Sequence, residues 1–253
     1  MSARFTDKVV MVTGAAGVVG RTAALAFAKE GATVVVADRN EDGVNETVRL
    51  IEEEGGKASG VLVDVADSAS LANAVRHAVE THGGLHVAFN NAGILRGGTP
   101  IAEHDEQAWH DSIAVNLTGV FFALKHQIAH MSANGGGAIV NTASNLGAHW
   151  RLANMAAYST SKAGVSFLTK TAALEAIQHG VRINSISPGP IDTPMSYLPG
   201  ETREQRDARL GPTVPLGRVA DPSEIAKAVL WLASDESSFV VGHDHVIDGG
   251  ATA

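Results

Sequence analysis

Short apolar runs alternate with longer amphipathic stretches along most of this chain. The runs cover residues 8–12, 33–37, 60–63, 87–89, 138–142, 181–187 and 246–247. Between them, apolar residues recur every three or four positions, which is the period of a helix with one buried face. Strands that alternate with helices favour an α/β fold, with a doubly wound parallel sheet of about seven strands and helices on both faces.

Three helices and one irregular segment stand out in this pattern. One long helix is predicted by an apolar stripe made of Ile113, Leu117, Val120, Phe121, Leu124 and Ile128. A second is expected over residues 156–178, and Asp221, followed by Pro222, marks the start of a third. Residues 193–215, here called the lid segment, mix prolines, glycines and charges of both signs without an apolar stripe. They are expected to form a mobile lid over a site.

Composition narrows the class of protein. The chain has 253 residues, 45% hydrophobic and 18% charged, and no linker-like stretch or repeat divides it, so we expect a single domain over residues 1–253. The 27 acidic residues outnumber the 19 basic ones, and no Lys/Arg cluster stands out. This balance argues against nucleic acid and anionic membranes as partners.

The sequence also limits location and metal chemistry. No apolar run approaches the ~18 residues of a membrane span, and residues 1–7 are polar, so a cytoplasmic location is expected. The absence of cysteine excludes disulfides and thiolate chemistry. His126 and His130 have the spacing of a metal pair, but no HExxH pattern surrounds them, and no metal is expected.

A glycine-rich turn follows the first apolar run, with the sequence Thr-Gly-Ala-Ala-Gly-Val-Val-Gly at residues 13–20. Such a turn can aim backbone N–H groups at a pyrophosphate, although a tight turn without a ligand explains the glycines equally well. Asp38 ends the next strand roughly 20 residues later, where a dinucleotide fold places the acid that binds the adenosine ribose. This position favours a turn that binds a pyrophosphate over a turn without a ligand. Arg39 follows directly. Its side chain either lies along the adenine or reduces the repulsion between Asp38 and the 2′-phosphate of NADP.

Tyr158 and Lys162 form a candidate proton-transfer pair. In a helix over residues 156–178 they stand one turn apart on the same face. A neighbouring ammonium stabilises a phenolate and lowers the tyrosine pKa from its usual ~10, so Tyr158 can serve as a general acid or base. For this spacing alone, a half-buried tyrosine and a solvated lysine would be the simpler explanation.

Further motifs accompany the pair in a specific order: Asn90-Asn91-Ala92-Gly93, Asn116, Ser144 and Pro188-Gly189. With the glycine turn, they make nearly the whole chain similar to the short-chain dehydrogenase/reductase family. The resemblance implies a single Rossmann-type domain that binds a nicotinamide dinucleotide. The residues that it assigns to the cofactor are Gly14, Gly17, Val18, Val19, Gly20, Asp38, Arg39, Asp64, Val65, Asn90, Ala92, Gly93, Tyr158, Lys162, Pro188, Gly189, Ile191 and Thr193.

The resemblance also implies a catalytic set of four residues. Tyr158 exchanges a proton with the substrate oxygen, and Ser144 donates a hydrogen bond that positions this oxygen. Lys162 lowers the tyrosine pKa and holds the nicotinamide ribose, while Asn116 holds a water near Lys162.

One position departs from the family pattern. The family turn TGxxxGxG has glycines at positions 14, 18 and 20, whereas this chain has valine at 18 and a glycine at 17. The side chain of Val18 either crowds the pyrophosphate or points away from it.

Asp38 favours NAD over NADP, since a 2′-phosphate beside it brings like charges together.

The expected reaction is hydride transfer between NAD(H) and a secondary alcohol or ketone. Apolar residues dominate the loops beside the catalytic set, which favours a hydrophobic, cyclic small molecule as substrate. These residues include Gly147, His149, Trp150, Met195, Tyr197 and Leu198; Ser144, Trp150, Tyr158 and Met195 are the predicted substrate contacts.

Two other functions stay open. One is an NADPH-dependent 3-oxoacyl-[acyl-carrier-protein] reductase, in which Arg151, Arg203, Arg206 and Arg209 would hold a carrier phosphate. The other is a non-catalytic dinucleotide-binding module.

The family resemblance also implies a homotetramer, packed through the helices that carry Asn116 and Tyr158. The apolar residues proposed for this contact are Val165, Leu168, Ala172 and Ala176. Burial of these faces in the chain's own core is the alternative.

Overall fold

Seven parallel strands form one sheet in residues 3–253, the part of the chain that the computed structural model describes. They are β1 (Val9–Thr13), β2 (Thr33–Asp38), β3 (Lys57–Leu62), β4 (Val87–Asn90), β5 (Gly137–Thr142), β6 (Val181–Pro188) and β7 (Asp244–Ile247). Their order across the sheet is β3-β2-β1-β4-β5-β6-β7. The prediction of a doubly wound parallel sheet is therefore confirmed.

The helices connect these strands on both faces of the sheet. They are α1 (Val18–Lys29), α2 (Glu41–Glu53), α3 (Ser68–His82), α4 (Glu106–Ile113), α5 (Gly119–Ala133), the short α6 (Asn145–Ala148), α7 (Ala156–Ala176), α8 (Arg203–Leu210) and α9 (Pro222–Ala233). Helices α1, α2 and α9 cover one face, and α3, α5 and α7 cover the other. None of the helices in residues 3–253 is long and apolar enough to cross a bilayer.

Strand alternation builds the two halves of the core. In β1, Val10 and Val12 pack under α1 and α9, whereas Val9 and Met11 pack under the helices of the opposite face. Because both faces are covered, all five residues of β1 are buried. Burying side chains of this size contributes roughly 1.5–3 kcal/mol each.

The chain reverses its direction of travel across the sheet between β1 and β4. β1 pairs with both β2 and β4, which places Thr13 beside Ala37 on one side and beside Asn90 on the other. The connections that leave the carboxyl ends of such neighbouring strands run to opposite faces of the sheet and leave a crevice between them. The glycine turn and the Asn90 turn therefore meet at one edge of the sheet.

Four buried polar side chains, here called the amide network, join β4, β5, α5 and α7. The Nδ2 group of Asn90 donates to Gln127 and to Asn141, both at 2.9 Å, and Gln127 Nε2 donates back to Asn90 Oδ1 at 2.8 Å. Asn141 in turn donates to Thr169 Oγ1 at 2.9 Å. All four residues are at most 3% exposed, so these bonds satisfy groups that water does not reach.

Two predicted elements differ from the structure. The long helix predicted around Asn116 is interrupted by a π-helical turn at Ala114–Thr118, which separates α4 from α5. The lid segment contains α8, although the sequence lacks an apolar stripe there. This helix starts with a capping box, in which the Thr202 and Gln205 side chains bond each other's backbone N–H groups.

The residues proposed for a subunit contact on α7 lie elsewhere than expected. Val165, Ala172 and Ala176 are buried in the chain's own core, so assigning these three to a subunit contact was wrong. Leu168 is half-buried and packs against the same core. The outward face of α7 instead carries Phe167 and Leu174, which are 73% and 79% exposed.

Candidate active site

Helix α7 brings Tyr158 and Lys162 into one buried site. Both side chains are nearly inaccessible to solvent, at 9% and 4% exposure. Lys162 Nζ lies 6.0 Å from the centre of the Tyr158 ring and donates a 2.7 Å hydrogen bond to the carbonyl oxygen of Thr142. The last residue of β5 thus holds the ammonium beside the tyrosine.

Burial governs the protonation of this pair. It raises the pKa of Tyr158, and the Ser144 hydroxyl offsets only part of that rise. Burial lowers the pKa of Lys162 to about 8. The net pKa of Tyr158 is therefore raised, not lowered as expected, because loss of solvent outweighs the hydrogen bond that favours the phenolate. At neutral pH the phenol keeps its proton and the lysine is mostly charged.

The π-helical turn places Asn116 between two parts of the site. Its side chain accepts from Ile94 N and donates to Ile94 O, both at 2.8 Å, and also donates to Ser161 Oγ at 3.1 Å. Ser161 Oγ donates to the Tyr158 carbonyl at 2.7 Å. Asn116 therefore joins the chain after β4 to the first turn of α7.

Gly93 lies at the centre of this arrangement. A Cβ at this position would stand 3.3 Å from Asn116 Oδ1 and 3.4 Å from Lys162 Nζ. Any side chain there would press on both groups. The glycine of the Asn90 turn thus keeps the space beside the lysine open.

Ser144 follows β5 and caps the short helix α6. Its Oγ accepts from Leu146 N at 3.2 Å. A Cβ on Gly147 would lie 2.9 Å from the backbone nitrogen of Ala163, so this glycine lets the Ser144 loop lie against α7. His149 was expected near the substrate, but its Nε2 is 2.8 Å from the buried carboxylate of Asp244 on β7. Trp150 N closes the loop by donating to Asn145 O at 2.7 Å.

The glycine turn forms an uncapped helix start at the carboxyl edge of the sheet. Gly14 has a φ of +68°, and a Cβ on Gly20 would be 2.2 Å from Gly14 O, so both positions require glycine. No side chain caps α1, which leaves the N–H groups of its first turn, at Val18, Val19 and Gly20, without a helical partner. Gly17 has ordinary extended backbone angles, and the Val18 side chain is 39% exposed.

Asp38 ends β2 beside this helix start. Its carboxylate accepts from the backbone N–H groups of Ala16 and Asn40, both at 3.0 Å. Arg39 is exposed and forms no ion pair within residues 3–253. Asp64 is exposed and accepts from Ala66 N at 2.9 Å, while Val65 packs against the start of α5.

The side chain of Asn90 does not face the crevice. Its amide group is taken up by the amide network, so only its backbone is left for the cofactor contact that the resemblance implied. The backbone N–H of Ala92 is held by Thr13 Oγ1 at 3.2 Å. The Asn90 side chain therefore aligns strands, and the assignment of Asn90 to the cofactor stays a prediction that concerns its backbone.

The turn after β6 reaches the same edge of the sheet. Gly189 N donates to Ile247 O at 2.9 Å, and a Cβ there would lie 2.8 Å from Asp248 Cβ, so only glycine fits between the strand ends. Pro188 is the last residue of β6, Ile191 pairs with Ala220, and Thr193 N donates to Ile191 O at 2.8 Å. This turn leads directly into the lid segment.

An open cavity of about 520 Å³ lies where this turn meets the lid segment. The residues around it are Asp192, Thr193, Pro194, Tyr197, Leu198, Gly200 and Glu201. None of the four predicted substrate contacts lines this cavity. Met195 is 47% exposed in the same segment, Trp150 is half-buried, and Ser144 and Tyr158 are buried on other elements.

Comparison with known proteins identifies the family. The family model described as enoyl-(acyl carrier protein) reductase matches residues 14–252. The cyclohexanol dehydrogenase of Acinetobacter sp. (strain SE19) is 41% identical over 253 residues, covering 100% of this chain and 98% of the relative. The cis-4-hydroxycyclohexanecarboxylate dehydrogenase of Sinomonas cyclohexanicum is 42% identical and covers 100% of both chains. The solved structure of levodione reductase matches with a TM-score of 0.92 at 32% identity, covering 98% of this chain and 99% of that one.

This chain belongs to the short-chain dehydrogenase/reductase family. It is therefore an oxidoreductase that acts on CH–OH groups with a nicotinamide dinucleotide, NAD or NADP.

The residues of this short-chain dehydrogenase/reductase fit such a cofactor. The unpartnered N–H groups at the start of α1 suit a pyrophosphate, and the Asp38 carboxylate at the adjacent strand end suits ribose hydroxyls. Gly93 leaves space beside the Lys162 ammonium. Residues 3–253 contain no group of three or more side chains able to hold a metal ion.

Sequence reasoning missed residues that hold the site together. Thr13 Oγ1 accepts from Asn91 N and Ala92 N, which fixes the Asn90 turn to the glycine turn. Gln127 is 0% exposed, and its position in the stripe between Leu124 and Ile128 was the available signal that it lies inside. Ser161 gave no signal of its own, because a serine within a helix is usually solvated.

Proposed function

We propose that this protein interconverts a hydrophobic cyclic secondary alcohol and its ketone, using NAD(H). The observation that carries the substrate class is the neutral lining of the cavity. Its two carboxylates are both paired: Asp192 with Arg203 and Arg206, and Glu201 with Arg209. Pro194, Tyr197 and Leu198 supply apolar surface. The names of the cyclohexanol and hydroxycyclohexanecarboxylate dehydrogenases support the same class.

Tyr158 is the proposed proton donor and acceptor. When bound, the nicotinamide supplies or accepts the hydride. In the direction of reduction, Tyr158 gives its proton to the carbonyl oxygen while Ser144 donates a hydrogen bond that positions this oxygen. In oxidation, Tyr158 takes the proton back. The raised pKa of Tyr158 keeps the phenol protonated at neutral pH, which suits the reductive step.

Lys162 and Asn116 support this proton transfer. The Lys162 ammonium stabilises negative charge on Tyr158 once the proton has left, and it is proposed to hold the nicotinamide ribose. Asn116, in its π-helical turn, is proposed to hold a water near Lys162 that relays protons from solvent.

The lid and the assembly also belong to this proposal. Residues 193–215 are proposed to close over the substrate, and the protein is proposed to form a homotetramer through the outward faces of α5 and α7. Phe121, Phe167 and Leu174 are exposed there, and a monomeric mass at micromolar concentration would contradict the tetramer. A cytoplasmic location remains a prediction.

A reductase of acyl-carrier thioesters is the second candidate, because the description of the matching family model names an acyl carrier protein. The pairing of Arg203, Arg206 and Arg209 with carboxylates argues against it, since a carrier phosphate would have to compete with those carboxylates for the arginines. Comparing kcat/KM for cyclohexanone with that for an acetoacetyl thioester tests the choice. A strong preference for the thioester would reverse it.

Asp38→Ala should narrow the preference for NADH over NADPH. A 2′-phosphate near Asp38 brings two negative charges together, and alanine removes that repulsion. The measurement is kcat/KM for each cofactor at saturating ketone, with Glu52→Ala, at an exposed position near the end of α2, as control. If the wild type uses NADPH as efficiently as NADH, Arg39 determines cofactor choice and the NAD assignment is wrong.

Val18→Gly should leave NADH affinity unchanged or tighten it a few-fold. The valine side chain is partly exposed at the first position of α1, so removing it frees space beside the N–H groups without opening the core. Fluorescence titration with NADH measures the effect. A large loss of affinity would mean that the valine itself contacts the cofactor.

A further inference from the structure

Arg206 is the only charged side chain of the lid segment that solvent does not reach. Its side chain is 0% exposed, whereas those of Arg203 and Arg209 on the same helix are 66% and 36% exposed. Arginine is rarely buried in this way unless its donors are paired. Nε and Nη1 of Arg206 are paired, whereas Nη2 is buried without a hydrogen-bond partner in residues 3–253. Its partners therefore indicate what it holds in place.

Two of the four residues that Arg206 contacts, Asp192 and Tyr197, line the cavity, and a third, Ser196, lies between them in the chain. Nη1 donates to Asp192 Oδ1 at 2.8 Å and to Ser196 Oγ at 3.0 Å, and the guanidinium lies 4.6 Å from the centre of the Tyr197 ring. The fourth contact, from Nε to Asp207 Oδ1 at 2.7 Å, is within α8 and orients the guanidinium. One side chain thus ties α8 to residues 192–197, which carry Asp192 and Tyr197 of the cavity lining.

The neighbouring Arg203 provides a comparison within the same helix. Its Nη2 is 3.0 Å from the other oxygen of the Asp192 carboxylate. Because this ion pair is largely exposed, water can replace it at little cost. Removing Arg206 instead takes away the buried ion-pair partner of Asp192 and the hydrogen bond that Ser196 Oγ accepts. It also removes the guanidinium that packs against the Tyr197 ring.

We propose that Arg206 is a positioning residue that fixes residues 192–197 as the substrate-facing wall of the site. This inference rests on the proposed function for its substrate. Arg206 does not touch the reacting atoms, and Tyr158 and Ser144 lie on other elements. A loosened wall should therefore weaken substrate binding more than it slows the chemical step.

The test compares Arg206→Met with Arg203→Met, using cyclohexanone and NADH. We expect KM for cyclohexanone to rise by about tenfold or more in Arg206→Met, while kcat changes by less than about threefold. Amide hydrogen exchange of residues 192–201 should accelerate in the same variant. Arg203→Met should stay within about twofold of the wild type in all three quantities. Equal behaviour of the two variants would overturn the proposal.

Two further measurements keep this test decisive. If Arg206→Met fails to fold, Arg206→Lys keeps the charge but loses the planar fork, and it should give the same rise in KM; a lysine variant with wild-type KM and exchange would overturn the proposal. The exchange measurement needs no substrate. If the wild type does not reduce cyclohexanone, the proposed function fails, while faster exchange limited to the Arg206 variants still supports the fixing of the wall.

Discussion

Tyr158→Phe should lower kcat for ketone reduction by about 10²- to 10⁴-fold, the range associated with general acid–base catalysis. The phenylalanine fills the same buried space beside Lys162, so the site should keep its shape while losing the proton that reaches the substrate oxygen. NADH binding should stay within a few-fold, because the phenol oxygen acts on the substrate. Single-turnover reduction and fluorescence titration measure the two effects separately.

Tyr197→Phe is the matched control, since Tyr197 is the only other tyrosine in the chain. Its ring stacks on Arg206 and does not require the hydroxyl, so kcat should stay within about twofold. Near-normal turnover by Tyr158→Phe would remove the tyrosine from the mechanism. A comparable loss in both tyrosine variants would indicate a general effect on folding.

Lys162→Met should impair both catalysis and cofactor binding. Removing a charge-assisted hydrogen bond typically costs about 1.5–3 kcal/mol, which corresponds to roughly 10- to 100-fold weaker NADH binding. The value of kcat should fall as well, because no ammonium is left to stabilise charge on Tyr158. Lys170→Met, at an exposed position on the same helix, is the control and should match the wild type. Unchanged NADH affinity in Lys162→Met would contradict the ribose contact.

The same substitution should change how stability depends on pH. Burial lowers the pKa of Lys162 to about 8, whereas its ordinary value is 10.5. Between these values the unfolded chain binds more protons than the folded one, so this group makes wild-type stability increase with rising pH. Lys162→Met should remove that contribution. Melting temperatures of the two proteins between pH 7 and about pH 10 test the sign. Parallel curves would indicate that the lysine is not buried in solution.

Sequence patterns predicted the sheet and the catalytic helix because each rests on local periodicity. Helical spacing placed Tyr158 and Lys162 on one face, and the family resemblance marked them as a functional pair. Asp38 was identified by its place at a strand end. The interruption of the helix at Asn116 was not predictable in this way, since it depends on bonds to Ile94 that lie far away in the chain. The partners of the Asn90 side chain were not predictable for the same reason: Gln127 and Asn141 are 37 and 51 residues away.

The lid segment was hard to predict for a different reason. Its charges looked like those of a solvated loop, because charge pairing within α8 leaves no apolar stripe in the sequence. Arg206 is buried only because Asp192, Ser196 and Tyr197, which precede α8 in the chain, pack around it. The Tyr158 pKa was likewise misjudged, because the depth of burial is a property of the whole fold.

The amide network has a consequence for how pH profiles of this enzyme can be interpreted. Asn90, Gln127, Asn141 and Thr169 contain no group that titrates between about pH 3 and pH 11. The alignment of β4 with β5 is thus insensitive to pH over that range. This alignment determines the position of the Thr142 carbonyl, which accepts the hydrogen bond from Lys162. Inflections in the pH dependence of kcat should then not arise from these strand ends, which act as a fixed reference frame.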